Sequence, residues 1–305
     1  MVHLAAFTLP EPHANDVGVR VAAASINPLD WKIRNGERKM LTGSKFPPAM
    51  GTDFAATVEA VGSKVSDLLP GDAVVGTVPM KGSGAFAPKL ITSRDLLVKR
   101  PDKLSFAEAA SLPVAGVTAW LVLVKHAGLK RGQKLFINGA TGAVGHAATA
   151  IAREIGAEVP GRVGPQSIAQ AQSLGLSLAI DYTKPLPAAL DSVFDLVFDA
   201  NGSLSIREGD RLIKRGGRVF DIALTKWRFL NALVSRSRKV VIANMKAESR
   251  RKPWARMPHS RKASNSSLTN CGRSAPAADS ACSKKVAACC CTRRYSVVCS
   301  GRWRS

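Results

Sequence analysis

Lys134-Leu135-Phe136-Ile137-Asn138 runs directly into Gly139-Ala140-Thr141-Gly142-Ala143-Val144-Gly145. An apolar strand meets a turn with glycine at every third position, and a helical pattern follows with Val144, Ala147, Ala148, Ile151 and Ile155 on one face. Few chains can use such a stretch outside a strand–turn–helix unit. The unit points backbone N–H groups and the positive end of a helix dipole at one spot, where a pyrophosphate can sit. Glycine lets the backbone approach the phosphates and lets the helix pack close to the sheet. The alternative is a tight turn that needs small residues only for packing.

The surrounding sequence divides into three. Residues 1–100 hold short strand candidates at Val17–Ala23, Ala55–Val61, Ala73–Val78, Lys89–Thr92 and Leu96–Lys99, separated by Gly, Pro and Asp. That spacing predicts a small barrel-like β domain. Residues 101–246 alternate strands with helices. Helices are predicted at Phe106–Leu112, Ala119–Ala127, Val144–Ile155 and Ser167–Leu174. Strands are predicted at Lys134–Ile137, Ala157–Val163, Leu178–Asp181, Phe194–Asp199, Gly217–Ala223 and Lys239–Ala243. Repeated strand–helix units imply a parallel sheet covered on both faces. Residues 247–305 lose this grammar and show no sustained period, so a disordered or aberrant tail is expected there.

Charge and cysteine break at the same place. Residues 246–305 hold 14 Lys and Arg against Glu248 and Asp279, a net +12 of the chain's +22. All six cysteines, Cys271, Cys282, Cys289, Cys290, Cys291 and Cys299, lie there too. They lack CxxC pairing, and the first 270 residues offer no thiolate ligand, so no metal site is expected. No apolar run reaches the roughly 18 residues of a membrane span, and Met1–Pro12 does not read as a secretory signal. The tail's scattered basic residues, with Trp254, Tyr295 and Trp303 as its aromatics, make a poor stacking platform, so nucleic acid is not the expected partner.

The chain resembles the zinc-independent medium-chain dehydrogenase/reductases of the quinone oxidoreductase type, in particular the plant homologues related to chloroplast-envelope proteins. The resemblance is carried by Ala24-Ser25-Ile26-Asn27-Pro28-Leu29-Asp30-Trp31-Lys32, Phe46-Pro47-Pro48, Gly51-Thr52-Asp53-Phe54, Val58-Glu59-Ala60-Val61-Gly62 and Pro70-Gly71-Asp72. It continues through Ala109–Trp120, the glycine turn, Ile180-Asp181-Tyr182, Asp199-Ala200-Asn201-Gly202 and Gly216-Gly217-Arg218-Val219. It spans roughly residues 7 to 246 in family order. It implies a GroES-like β-barrel domain followed by a Rossmann doubly wound parallel sheet. Against the family pattern the chain reads as truncated at its N-terminus and aberrant after Lys246. A frame error would produce that switch, and translating the neighbouring frames tests it.

The resemblance also assigns roles. Gly139, Ala140, Thr141, Gly142, Ala143, Val144 and Gly145 would bind the pyrophosphate of NADPH, with Thr118 and Asn201 close to the cofactor. The segment Arg162–Ser167 contains no acid, which favours a 2′-phosphate over free ribose hydroxyls. The family's basic residue falls at Gln166, with Arg162 earlier and Ser167 after it. Tyr182 matches a tyrosine near the adenosine phosphate, or is a strand-end aromatic. Zinc-dependent relatives place a Cys and a His where this chain has Asn27 and Thr52. Asn27 would sit beside the nicotinamide, or serve as a turn residue before Pro28. Lys32 would stabilise an oxygen that becomes anionic, or is a surface lysine. Asp30 would orient Lys32, or cap a helix. His126 and His146 are expected on helices in structural roles.

The expected activity is NADPH-dependent reduction of quinones or α,β-unsaturated carbonyls by hydride transfer. The alternatives are a catalytically impaired nucleotide-binding relative and a nucleic-acid-associated protein working through its basic tail. The resemblance admits a homodimer, peripheral membrane association, and a cytoplasmic or chloroplast-envelope location.

Overall fold

The computed structural model describes residues 8–37, 49–79, 84–222 and, as backbone, 238–240. The expected tail at 247–305, Phe46-Pro47-Pro48, Ala223 of the predicted fifth strand and the predicted strand residues beyond Val240 lie outside the described residues. The chain divides into two compact units, with the described residues up to Val114 in the first and those from Ala115 in the second.

The first unit is an antiparallel sheet of β1 (Asp16–Ser25), β2 (Asp53–Val61), β3 (Ala73–Thr77), β4 (Lys89–Ser93) and β5 (Leu97–Lys99), in the order β4-β1-β2-β3-β5. Alternation sends Val17, Val19, Val21, Phe54, Val58, Val74 and Leu90 to one buried face. Ala55, Val75 and Val98 face the other way, onto Ala109 and Ala110 of α2 (Phe106–Ala110). A short helix, α1 (Pro28–Arg34), follows β1; Pro28 opens it without losing a needed N–H.

The second unit begins in α3 (Pro113–Trp120), which passes into a π-helical turn at Leu121–His126. Pro113 starts this helix six residues before the predicted Ala119, because proline is pre-organised for a first helical turn. Six parallel strands follow: β6 (Leu135–Asn138), β7 (Pro160–Val163), β8 (Leu178–Asp181), β9 (Phe194–Asp199), β10 (Ile213–Asp221) and β11 (Arg238–Val240). Their order is β11-β10-β9-β6-β7-β8. The chain thus winds outward from β6 in both directions, and the direction reverses between β6 and β9. Helices α4 (Ala143–Ile155), α5 (Ile168–Ser173) and α6 (Ile206–Leu212) make connections between strands. Phe136, Phe194, Val197 and Val219 from the strands meet Leu204 and Leu212 in the core.

Two strand starts in the second unit also differ clearly from the sequence expectation. The second strand starts at Pro160 rather than Ala157, since proline brings no ladder N–H and is placed at a strand's first residue. The strand expected at Gly217 begins at Ile213, with an irregularity in its pairing to β9 between Ile213 and Arg218. His126 lies in the π-helical turn and His146 on α4, where burial holds the imidazole pKa below its usual value. No helix among the described residues is long and apolar enough to cross a membrane.

Candidate functional site

The glycine turn leaves the carboxyl end of β6 at the reversal point of the second unit's sheet. In open α/β sheets this is where ligands bind. Gly139 holds φ +81°, and a Cβ there would stand 2.9 Å from the Cβ of Asn201. Gly145 is more tightly constrained: its Cβ would fall 2.0 Å from the carbonyl oxygen of Gly139. Gly142 is different. It is the N-cap of α4 at φ −69°, and a Cβ would meet only the Gly139 carbonyl, at 3.4 Å. Among the described residues nothing else stands within 4 Å of that position, which leaves the space above it open to a ligand. The cap supplies no side-chain acceptor, and the first turn of α4 carries no acid. The donors of that helix end and its dipole therefore face an approaching anion without an internal competitor. These residues fit a dinucleotide's pyrophosphate.

Polar bonds hold the surroundings in place. The carbonyl of Arg162 accepts the N–H groups of Gly139 at 2.9 Å and Ala140 at 3.2 Å. Asn138 and Asp199 end the neighbouring strands β6 and β9 and stand in register. Asp199 Oδ1 accepts from Asn138 Nδ2 and from the N–H of Gly202, each at 2.8 Å, and Oδ2 accepts from the N–H of Leu204 at 3.0 Å. Ser203 Oγ accepts from both Asn138 and Asn201. The loop carrying Asn201 is thereby tied down beside Gly139.

The remaining residues expected here spread along the same edge. Arg162 is in β7, Ser167 ends the 3₁₀ turn Pro165–Ser167, and Tyr182 follows β8 with its ring exposed. Thr118 is buried in α3, an element outside that edge.

The first unit contains a second polar cluster. Asn27 and Asp30 of the α1 entry meet Thr52 and Asp53 at the start of β2, and all four are buried. Asp30 Oδ2 accepts the N–H of Asn27 at 2.6 Å, capping α1, and Oδ1 accepts the Thr52 hydroxyl at 3.0 Å. The capping role open in the sequence is thus present, and both Asp30 oxygens are taken by partners other than Lys32. Asn27 Nδ2 donates to Ser25 Oγ and to Asp53 Oδ2, both at 3.1 Å. Asp53 Oδ2 also accepts the N–H of Val114 at 3.0 Å, while Oδ1 is buried without a partner among the described residues. Burial, with the charge of Asp30 adding to it, pushes the Asp53 carboxyl up to about 8, against the pull of its bonds from Val114 and Asn27. Asp30 is raised by burial as well. Lys32 is half-buried on α1, its ammonium 5.6 Å from the centre of the exposed Trp31 ring.

Asp53, Asp199, Asn138 and Glu208 receive no role from sequence reasoning. A carboxylate inside an apolar strand, as in Asp53-Phe54-Ala55-Ala56, was the available signal for the first.

Residues 13–102 match the alcohol dehydrogenase GroES-like domain. The chain is 34% identical over 246 residues to the chloroplast envelope quinone oxidoreductase homolog of Arabidopsis thaliana, covering 77% of this chain and 75% of that one. It is 35% identical over 225 residues to the chloroplastic NADPH-dependent alkenal/one oxidoreductase of the same plant, covering 71% and 57%. The solved quinone oxidoreductase of Coxiella burnetii superposes with a TM-score of 0.71 at 29% identity, over 81% of this chain and 80% of that one. With this sequence kinship spanning both units, the chain belongs to the quinone oxidoreductase group of the medium-chain dehydrogenase/reductases, a family of oxidoreductases.

Proposed function

We propose that this protein is an NADPH-dependent, zinc-independent reductase of quinones or α,β-unsaturated carbonyls. The observation that carries the cofactor reading is Gly142: a glycine that no described neighbour crowds, on a helix end without a side-chain cap at the reversal point of the sheet. The absence of an acid in Arg162–Ser167 supports NADPH over NADH. The named activities of the two plant relatives support the substrate class.

When bound, NADPH supplies the hydride that reaches the β-carbon of an enone or a quinone ring. The chain's own residues hold and polarise. Gly139–Gly145 would cradle the pyrophosphate, with the N–H groups of the first turn of α4 as donors because those of Gly139, Ala140 and Gly142 already bond within the protein. The Asp199 network keeps Asn201 beside them. Asn27, whose amide nitrogen is held by Ser25 and Asp53, would offer its amide oxygen to the reacting ring. Lys32 donates a hydrogen bond to the substrate oxygen that becomes anionic. Zinc independence is supported by the cluster itself: Asn27 and Thr52 each spend a polar atom on a neighbouring carboxyl. Among the described residues no three His, Cys, Asp or Glu side chains gather to hold a metal. The chloroplast names of the plant relatives favour a plastid location.

The test is NADPH oxidation by the full chain against a panel of quinones, alkenals and enones. Turnover with at least one class is expected. Lys32→Ala should lower the rate by roughly 10²-fold with an unchanged melting temperature. A folded protein that binds NADPH and reduces none of the panel would contradict the enzymatic reading.

A further inference from the structure

Arg162 occupies the position where a basic residue ordinarily meets a 2′-phosphate: near the end of the second strand, 23 residues after the first glycine of the turn. Its side chain is only 13% exposed, and both terminal nitrogens of its fork are already engaged. Nη1 donates to Glu208 Oε1 at 3.0 Å. Nη2 donates to the backbone carbonyls of Tyr182 at 3.1 Å and Lys184 at 3.3 Å. Nε is buried without a partner among the described residues. A phosphate-binding arginine turns its fork to the ligand; this fork is turned to the protein.

The partners are committed in the same way. Glu208 Oε2 accepts the N–H and the hydroxyl of Ser205, at 3.0 and 2.7 Å, forming the capping box of α6. Tyr182 is pinned a second time by its own N–H, which donates to the carbonyl of Val163 at 2.9 Å. Its ring edge stands 3.4 Å from where a Cβ of Gly164 would be. The backbone carbonyl of Arg162 meanwhile holds Gly139 and Ala140. One residue therefore joins the glycine turn, the turn after β8 and the start of α6.

We propose that Arg162 is a positioning residue for dinucleotide selectivity: it straps the Tyr182–Lys184 turn and the α6 cap to β7, shaping the surface that receives the adenosine 2′-phosphate without touching that phosphate. The inference rests on the NADPH reading above. It separates from the direct-ligand alternative because the two accounts predict opposite signs at Glu208 and different outcomes for a lysine at 162.

The experiment is calorimetric titration of the full chain with NADPH, NADH and 2′,5′-ADP, in wild type, Arg162→Lys and Glu208→Gln, with melting curves for each. Lysine keeps the charge but cannot span three acceptors. The strap predicts that Arg162→Lys weakens NADPH and 2′,5′-ADP by about tenfold or more, with NADH changed by less than about twofold. Glutamine preserves the capping box, so Glu208→Gln should fold, loosen the strap and weaken NADPH several-fold. Tighter NADPH binding in Glu208→Gln, or wild-type affinity in Arg162→Lys, would show a direct phosphate ligand and overturn the proposal. Equal weakening of NADPH and NADH would reduce Arg162 to a structural tie, overturning the selectivity claim. Wild-type protein that binds neither dinucleotide overturns the cofactor reading and this inference with it.

Discussion

Each unit buries an aspartate at the end of a strand, and the two are satisfied differently. Asp199, at the end of β9, accepts from an amide and two backbone N–H groups, spread over both oxygens. Asp53, at the start of β2, takes Asn27 and Val114 on one oxygen and leaves the other without a partner among the described residues. The first arrangement converts burial into a fixed loop, the one that sets Asn201 beside the glycine turn. The second leaves burial dominant, so the carboxyl is raised to about 8 and carries a proton at neutral pH. A neutral acid can sit beside Asp30 and still hold the Asn27 amide; an ionised one would face a second carboxylate. The number and placement of donors, more than depth, decide whether a buried carboxyl organises the chain around it.

The sharpest break of this contrast is Asp199→Ala. It strips the acceptor from three donors at once, two of them backbone N–H groups of one loop. A loss of about 3 kcal/mol in urea unfolding is expected, together with weaker dinucleotide binding. Gly145→Ala comes next. A Cβ 2.0 Å from the Gly139 carbonyl forces the turn to move, so a loss of about 2 kcal/mol and at least tenfold in NADPH affinity should appear.

Asp53→Asn probes the other side of the comparison through pH. The folded carboxyl sits near 8 and the unfolded one near 3.8, so the folded state binds the extra proton between those values. Its contribution is fully present below about pH 4 and is lost as pH rises through about 8, with a limiting slope of about 1.4 kcal/mol per pH unit. The amide keeps an acceptor oxygen and cannot ionise. The variant should therefore gain on wild type as pH rises from 5 to 8, with an upper bound of about 3–4 kcal/mol over that span. A constant gap across that range would place Asp53 among ordinary ionised carboxylates. The smallest stability effect is expected at Gly142→Ala, within about 1 kcal/mol of wild type by chemical unfolding. Its effect belongs to the ligand: the added methyl enters the open space above the helix end and should weaken NADPH.

Much of the second unit was legible because buried parallel strands read as apolar runs and the glycine turn declares its own geometry. Helix α6 was missed although Ser205-Ile206-Arg207-Glu208 spells a capping box, because its seven residues carry too little periodicity. The site glycines were legible one by one; the bonds that hold them were not. Asp53 meets Val114 and Asn138 meets Asp199 across 61 residues each, and Arg162 meets Glu208 across 46. Local pattern carries no signal for such pairs. Hence Arg162 reads from sequence as a cofactor contact, whereas the structure turns its guanidinium to protein acceptors.

The most direct measurement is a titration of NADPH into the full chain, with Gly142→Ala and Gly145→Ala alongside and melting curves as the control for folding. The account predicts saturable binding by wild type, preference for NADPH over NADH, and weakened binding in Gly142→Ala at nearly unchanged stability. Absence of saturable binding by folded wild-type protein, or full wild-type affinity in Gly142→Ala, would contradict it.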